Sequence, residues 1–82
     1  MYFVQATYEH IDSGYKYLFE LDAEDALTAE SRIESYMIKK YDLKLNSDYE
    51  CLQLCLNGKD EYGQPYGEFF DTTRDQYTLI KL

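Results

Sequence analysis

The sequence predicts an α+β domain of two layers, with one helix packed on one face of a mainly antiparallel sheet of about five strands, in the order ββαβββ. Three observations lead there. Apolar residues recur at every second position over several short runs, they recur at helical spacing over one run only, and turn-forming residues punctuate the runs. At 82 residues, the chain 1–82 has room for one domain around one core.

Residues 2–10 alternate. Tyr2, Val4, Ala6, Tyr8 and His10 fall on one side and Gln5, Thr7 and Glu9 on the other, as in a half-buried strand. Asp12-Ser13-Gly14 marks a turn. Residues 15–21 alternate again, with Tyr15, Tyr17, Phe19 and Leu21 inward, and the short connection makes the two runs a hairpin. The helical run follows, with Asp22 as its expected N-cap and Asp25 at the capping-box position. Ala26, Ala29, Ile33, Tyr36 and Met37 form an apolar stripe, and the helix is placed at 23–40. Glu24 and Asp25 suit the positive end of its dipole, and Lys39 and Lys40 the negative end. A third strand is expected at 49–57, closed by the turn dipeptide Asn57-Gly58. Residues 59–65 read as a hairpin tip, 66–72 as a shorter strand and 77–82 as the last strand. Short loops make neighbouring strands antiparallel. Because the helix covers one sheet face, the other is expected to expose apolar groups from among Phe3, Cys51, Cys55, Phe69 and Phe70, a surface suited to a partner or a homodimer contact.

In Cys51-Leu52-Gln53-Leu54-Cys55-Leu56 the alternation puts the three leucines on one face and both cysteines on the other. Four residues of strand hold the two cysteines about 13 Å apart. That is too far for a disulfide between them or for a shared tetrahedral metal. Both are expected to be reduced and partly buried.

Sixteen acidic residues oppose eight basic ones, for a net charge of -8, and ten tyrosines accompany them. That balance repels nucleic acid and anionic bilayers and attracts basic protein surfaces. No direct nucleic-acid contact and no membrane partner are expected. No run approaches the roughly 20 apolar residues of a membrane span. The first residues lack the basic and apolar regions of a secretory signal, so a cytoplasmic protein is expected. His10 is the only histidine, and the sequence suggests no nucleophile to pair with it. Across Asn57–Glu68, Lys59 and Tyr62 stand where a calcium loop needs a ligand and a glycine. The glycines read as turn residues and form no phosphate-binding loop. No catalytic residue, metal site or cofactor is expected.

The acid is unevenly spread. Residues 20–34 carry a net charge of -5, residues 48–75 also -5, and residues 35–47 a net of +2. Glu30 and Glu34 lie one helical turn apart, a two-carboxylate ridge. Carboxylates on a helix flank and a hairpin tip can mimic the charge spacing of a duplex, about one per 1.7 Å of axis. Nearby tyrosines add apolar area and hydroxyls to such a contact. The expected partner-binding residues are Glu24, Asp25, Glu30, Glu34, Asp60, Glu61, Tyr62 and Glu68. In size, charge and lack of a catalytic motif the chain resembles the small acidic inhibitors that phages deploy against host defence nucleases, the anti-CRISPR and anti-restriction proteins. The resemblance implies a non-catalytic decoy that blocks the nucleic-acid-binding surface of a larger basic enzyme or complex, acting in the host cytoplasm. The alternative expectation is a homo-oligomeric structural or regulatory subunit that pairs through an exposed sheet face or edge.

Overall fold

The structure is a computed structural model that describes residues 1–65 and 77–82. Its elements are β1 (Tyr2–His10), β2 (Lys16–Ala23), α1 (Ala26–Tyr41), β3 (Tyr49–Leu56) and β4 (Tyr77–Lys81). The α+β class holds, with one helix on a sheet. Among the described residues that sheet has four strands in the spatial order β3-β1-β2-β4. It is mixed: β1 runs antiparallel to both β2 and β3, whereas β4 runs parallel to β2. The expectation of a mainly antiparallel sheet of about five strands in the order ββαβββ is not matched: the described residues give four strands with one parallel pairing. The strand expected at 66–72, with Glu68, Phe69 and Phe70, lies outside the described residues. The antiparallel expectation for the last strand assumed that it pairs with its neighbour in sequence. It pairs instead with β2, matching Leu18 to Leu79 and Phe19 to Ile80 at the sheet margin opposite β3.

The first hairpin forms as the alternation requires. Val4, Ala6 and Tyr8 pair with Leu21, Phe19 and Tyr17, so these six side chains share one face and are buried. The connecting turn is closed by Gly14 donating its N–H to the His10 carbonyl, with Gly14 at φ +73. Ala29, Ile33 and Met37 bring the apolar stripe of α1 onto that face, and Tyr49 and Ile80 complete the core. Tyr8 meets Phe19 and Tyr49 edge-on, at ring separations of 5.7 and 5.5 Å.

The helix begins later than expected. Asp22 and Ala23 remain in β2, paired with Phe3 and Tyr2, and Ala23 is buried in the core. The N-cap is Asp25, in extended backbone, whose Oδ1 accepts the Thr28 N–H at 2.7 Å. Two aspartates competed for the cap, and the length of β1 decided between them. The Asp22 carbonyl accepts from the Arg32 guanidinium at 2.8 Å, which ties the end of β2 to the helix. Lys39 and Lys40 lie in the last turn, and Asp42 closes the helix in the left-handed region.

The cysteines also depart from expectation. A β-bulge sits where β3 meets β1: Thr7 pairs with Gln53, but Tyr8 pairs with Cys51, so Leu52 is the extra residue. The bulge turns Cys51 to the helix side and leaves Cys55 on the opposite face. Both are free thiols. The face away from the helix is not open at its centre. Thr7, Leu18 and Gln53 are buried there, and Cys55 has no exposed surface. Among the described residues the apolar groups that stay exposed on it are marginal, Phe3 at 42% and Leu79 at 46%.

A candidate anionic groove beside β3

Three structures converge beside β3: the bulge, the first half of α1, and the turn that follows the strand. Asn57 and Gly58 both take positive φ, 52° and 84°, and Leu56 and Lys59 exchange backbone hydrogen bonds across them. This is the tight two-residue turn that Asn-Gly favours. The Asn57 side chain accepts the Phe3 N–H at 3.0 Å and so anchors the turn to the start of β1. The chain then folds back over Asp60. Oδ1 of Asp60 accepts the N–H groups of Tyr62 and Gln64, at 2.9 and 2.8 Å, and the Gln53 amide reaches Oδ2 at 3.4 Å.

Between this turn and α1 lies a groove of about 1000 Å³. Leu52, Leu54 and Leu56 supply apolar lining, and its polar groups include Glu30, Asp60, Glu61 and Tyr62 together with Gln53, Gln64 and one cation, Lys59. Four residues expected at a partner surface, from segments thirty positions apart, thus meet around one concavity. Glu34 lies a turn further along the same helix flank and is exposed. Glu24 is exposed just ahead of the cap. Asp25 sits elsewhere: its carboxylate caps the helix, and it borders a shallow depression on the other flank with Arg32 and Lys39. Glu68 lies outside the described residues. The helix therefore separates its charges, with Glu30 and Glu34 towards β3 and Arg32 and Lys39 towards the opposite flank.

Electrostatics beneath the groove follow from this placement. Burial, then the Glu30 carboxylate, pushes the Cys51 thiol up to about 11. Burial pushes the Tyr8 hydroxyl far above the tyrosine range, with Cys51 and Glu30 adding to the shift. Burial, then Glu34, pushes Tyr49 up to about 12. Tyr62 is raised by its hydrogen bond to Glu61. Each anion disfavours a second one beside it, and among the described residues no lysine or arginine lies within salt-bridge distance of these carboxylates. Asp25 is the opposite case, lowered by the backbone hydrogen bond from Thr28.

Two features escaped the sequence. Gln53 is 8% exposed, lines the groove, and buries an Oε1 that has no hydrogen-bond partner among the described residues. The signal was present as a lone amide inside an apolar run. His10 also has a serine beside it after all. Ser13 approaches Nδ1 of His10 through both its N–H, at 3.2 Å, and its Oγ, at 2.9 Å. Because a backbone N–H donates to Nδ1, that nitrogen is an acceptor, and Ser13 Oγ–H donates to it too. Oγ in turn accepts the Tyr15 N–H, so the trio closes the β1–β2 turn.

Among the described residues no helix is long and apolar enough to cross a membrane, and no cluster of three or more His, Cys, Asp or Glu side chains is arranged to hold a metal. No protein-family model, curated protein or solved structure matches the chain.

Proposed function

We infer that this protein is a non-catalytic, acidic binding protein that occludes the nucleic-acid-binding surface of a larger basic enzyme or complex, in the manner of an anti-CRISPR or anti-restriction inhibitor. One observation carries the reading. Carboxylates from α1 and from the 59–65 turn gather beside β3, and none is neutralised by a lysine or arginine among the described residues. Evenly dispersed, internally paired acids would have argued for an ordinary solvated surface. Unpaired ones keep their field available to a cationic partner. The apolar lining and Tyr62, which is 80% exposed, add area to fix the contact. The alternative, a subunit pairing through an exposed sheet face or edge, draws less support at the face, because among the described residues its centre is closed and Phe3 and Leu79 are exposed at its margins.

A competition assay tests the reading. A panel of RNA-guided and restriction nucleases is loaded with labelled duplex, and this protein is titrated against each. Displacement from at least one enzyme, weakening steeply as salt rises, is expected. The double variant Glu30→Lys, Glu34→Lys should lose about tenfold or more in that displacement while melting as a folded domain, since reversing two charges near a basic surface changes the interaction by over 1 kcal/mol. Displacement that ignores both salt and charge reversal would refute the electrostatic reading.

A further inference from the structure

We propose that the free edge of β3 is a strand-addition site for an extended, basic segment of the partner, which pairs with the backbone of Leu54 and Cys51 inside the groove. The inference rests on the acidic-decoy reading and deepens it, because it names the part of the partner that docks and the bonds that hold it.

Among the described residues β3 is the outermost strand on its side of the sheet. The phase of its pairing with β1 tells which backbone groups face outwards. Asn57 donates its N–H to the Phe3 carbonyl at 2.8 Å. Antiparallel alternation then turns the N–H and C=O of Cys55 towards β1 and those of Leu54 and Leu56 away from it. Leu56 fits, since it exchanges hydrogen bonds with Lys59 on the outer side. Beyond the bulge, Ile11 donates to the Asp48 carbonyl at 2.9 Å, which turns Glu50 inwards and Tyr49 and Cys51 outwards. The Tyr49 carbonyl accepts the Asn46 N–H at 2.7 Å. Both ends of the edge are thus taken up by the chain's own loops. Between them, among the described residues, no backbone group pairs with the outward groups of Cys51 and Leu54. A row of unpaired edge groups is a template for another strand.

The groove lies along this gap. Leu54 and Leu56 pair with Ala6 and Val4 and so stand on the helix side, where Ala26 and Glu30 of α1 join them in the lining. Gln53 pairs with Thr7 on the other face, and its amide approaches Asp60 of the following turn at 3.4 Å. A groove lined from both faces of the sheet must pass the edge of the strand. Its two walls therefore receive the side chains of an added strand, which point alternately to the two faces. Half-buried Leu54 and Leu56 offer apolar surface to a β-branched residue on the helix side. Glu30, Asp60 and Glu61, against Lys59 alone among the described lining, select a basic strand. In such additions main-chain hydrogen bonds give affinity and the alternate side chains give specificity. A second copy of this chain fits less well, because it would bring the same carboxylates to the same edge.

The probes are a short acetylated peptide of alternating arginine and valine, its counterpart with every backbone amide N-methylated, and an alternating glutamate–valine peptide, each titrated into the whole protein. The first should bind about tenfold or more tightly than the methylated form, which keeps charge and side chains but has no N–H to donate. The glutamate peptide should not bind. Hydrogen exchange on the native protein is the second readout. In the free protein the Leu54 amide should exchange faster than that of Cys55, which faces β1, and the arginine peptide should slow it about tenfold or more. Leu54→Pro removes the outward N–H at an edge position of the kind that tolerates proline, so it should weaken the peptide without unfolding the domain. A Leu54 amide already as protected as Cys55 in the free protein overturns the proposal. So does equal binding of the methylated or the glutamate peptide, binding that leaves Leu54 exchange unchanged, a folded Leu54→Pro that keeps its affinity, or failure of the arginine peptide to bind. The exchange comparison decides the matter even if the proline variant folds poorly. None of these failures touches the decoy reading, which needs only net charge and is judged by duplex displacement and its salt dependence.

Discussion

Replacing Tyr49 with phenylalanine should stabilise this domain, against the usual outcome of a core substitution. Tyr49 is completely buried and stands edge-on to Tyr8. Its hydroxyl has no hydrogen-bond partner among the described residues. A buried polar group left unpaired costs about 1–3 kcal/mol. Phenylalanine keeps the ring and removes that cost. The oxygen it vacates forfeits some dispersion contacts, each worth about 0.1–0.2 kcal/mol. The balance is a gain of about 1 kcal/mol, or about 4–8 °C in Tm for a domain of this size. Urea unfolding followed by circular dichroism, with a thermal melt beside it, measures both. The same hydroxyl makes a pH prediction. Burial and Glu34 push it up to about 12 in the folded state, whereas an unfolded tyrosine ionises near 10. The folded state holds this proton more tightly, so the contribution is complete below about pH 10 and is lost as pH rises towards 12. Tyr49→Phe should flatten part of that alkaline decline; Tyr8, also raised by burial, keeps the rest. Glu34→Gln should shift the Tyr49 portion to lower pH. A phenylalanine variant less stable than the native chain would show that the hydroxyl has a partner, and would refute the argument.

The N-cap is tested by comparing two aspartates. Asp25→Ala should cost about 1 kcal/mol in urea with an unchanged m-value, while Asp22→Ala, one residue before the end of β2, should cost clearly less. Ile33→Ala removes a fully buried side chain from the helix–sheet interface and should cost about 2–5 kcal/mol; a smaller loss in calorimetry would mean that the core is looser than the burial implies. Asp60→Ala should speed hydrogen exchange at the Tyr62 and Gln64 amides, which lose their acceptor, and leave the amides of β1 protected.

Much of this arrangement was legible in local pattern. The alternation in β1 and β2 named the buried face correctly from Val4, Ala6, Tyr8, Tyr17, Phe19 and Leu21. The stripe of α1 named Ala29, Ile33 and Met37, and Asn57-Gly58 named the turn. The candidate site was legible in part. Glu30, Asp60, Glu61 and Tyr62 were singled out separately, but nothing local said that they share a groove. Gln53 passed unnoticed: alternation places it on the face of Cys55, where the structure finds it, but does not say that a polar side chain there is buried.

Composition and periodicity alone determined the charge of this surface, the presence of one amphipathic helix and the inward side of the first hairpin. Those properties depend on residues within a few positions of one another. Tertiary structure decided where α1 starts, which way β4 runs, how the two cysteines part, and that Glu30, Asp60 and Glu61 converge beside β3. Each of these depends on pairing between segments distant in sequence. The energy of such pairing comes from burial and hydrogen bonds that exist only once the strands have met, so no local window contains it.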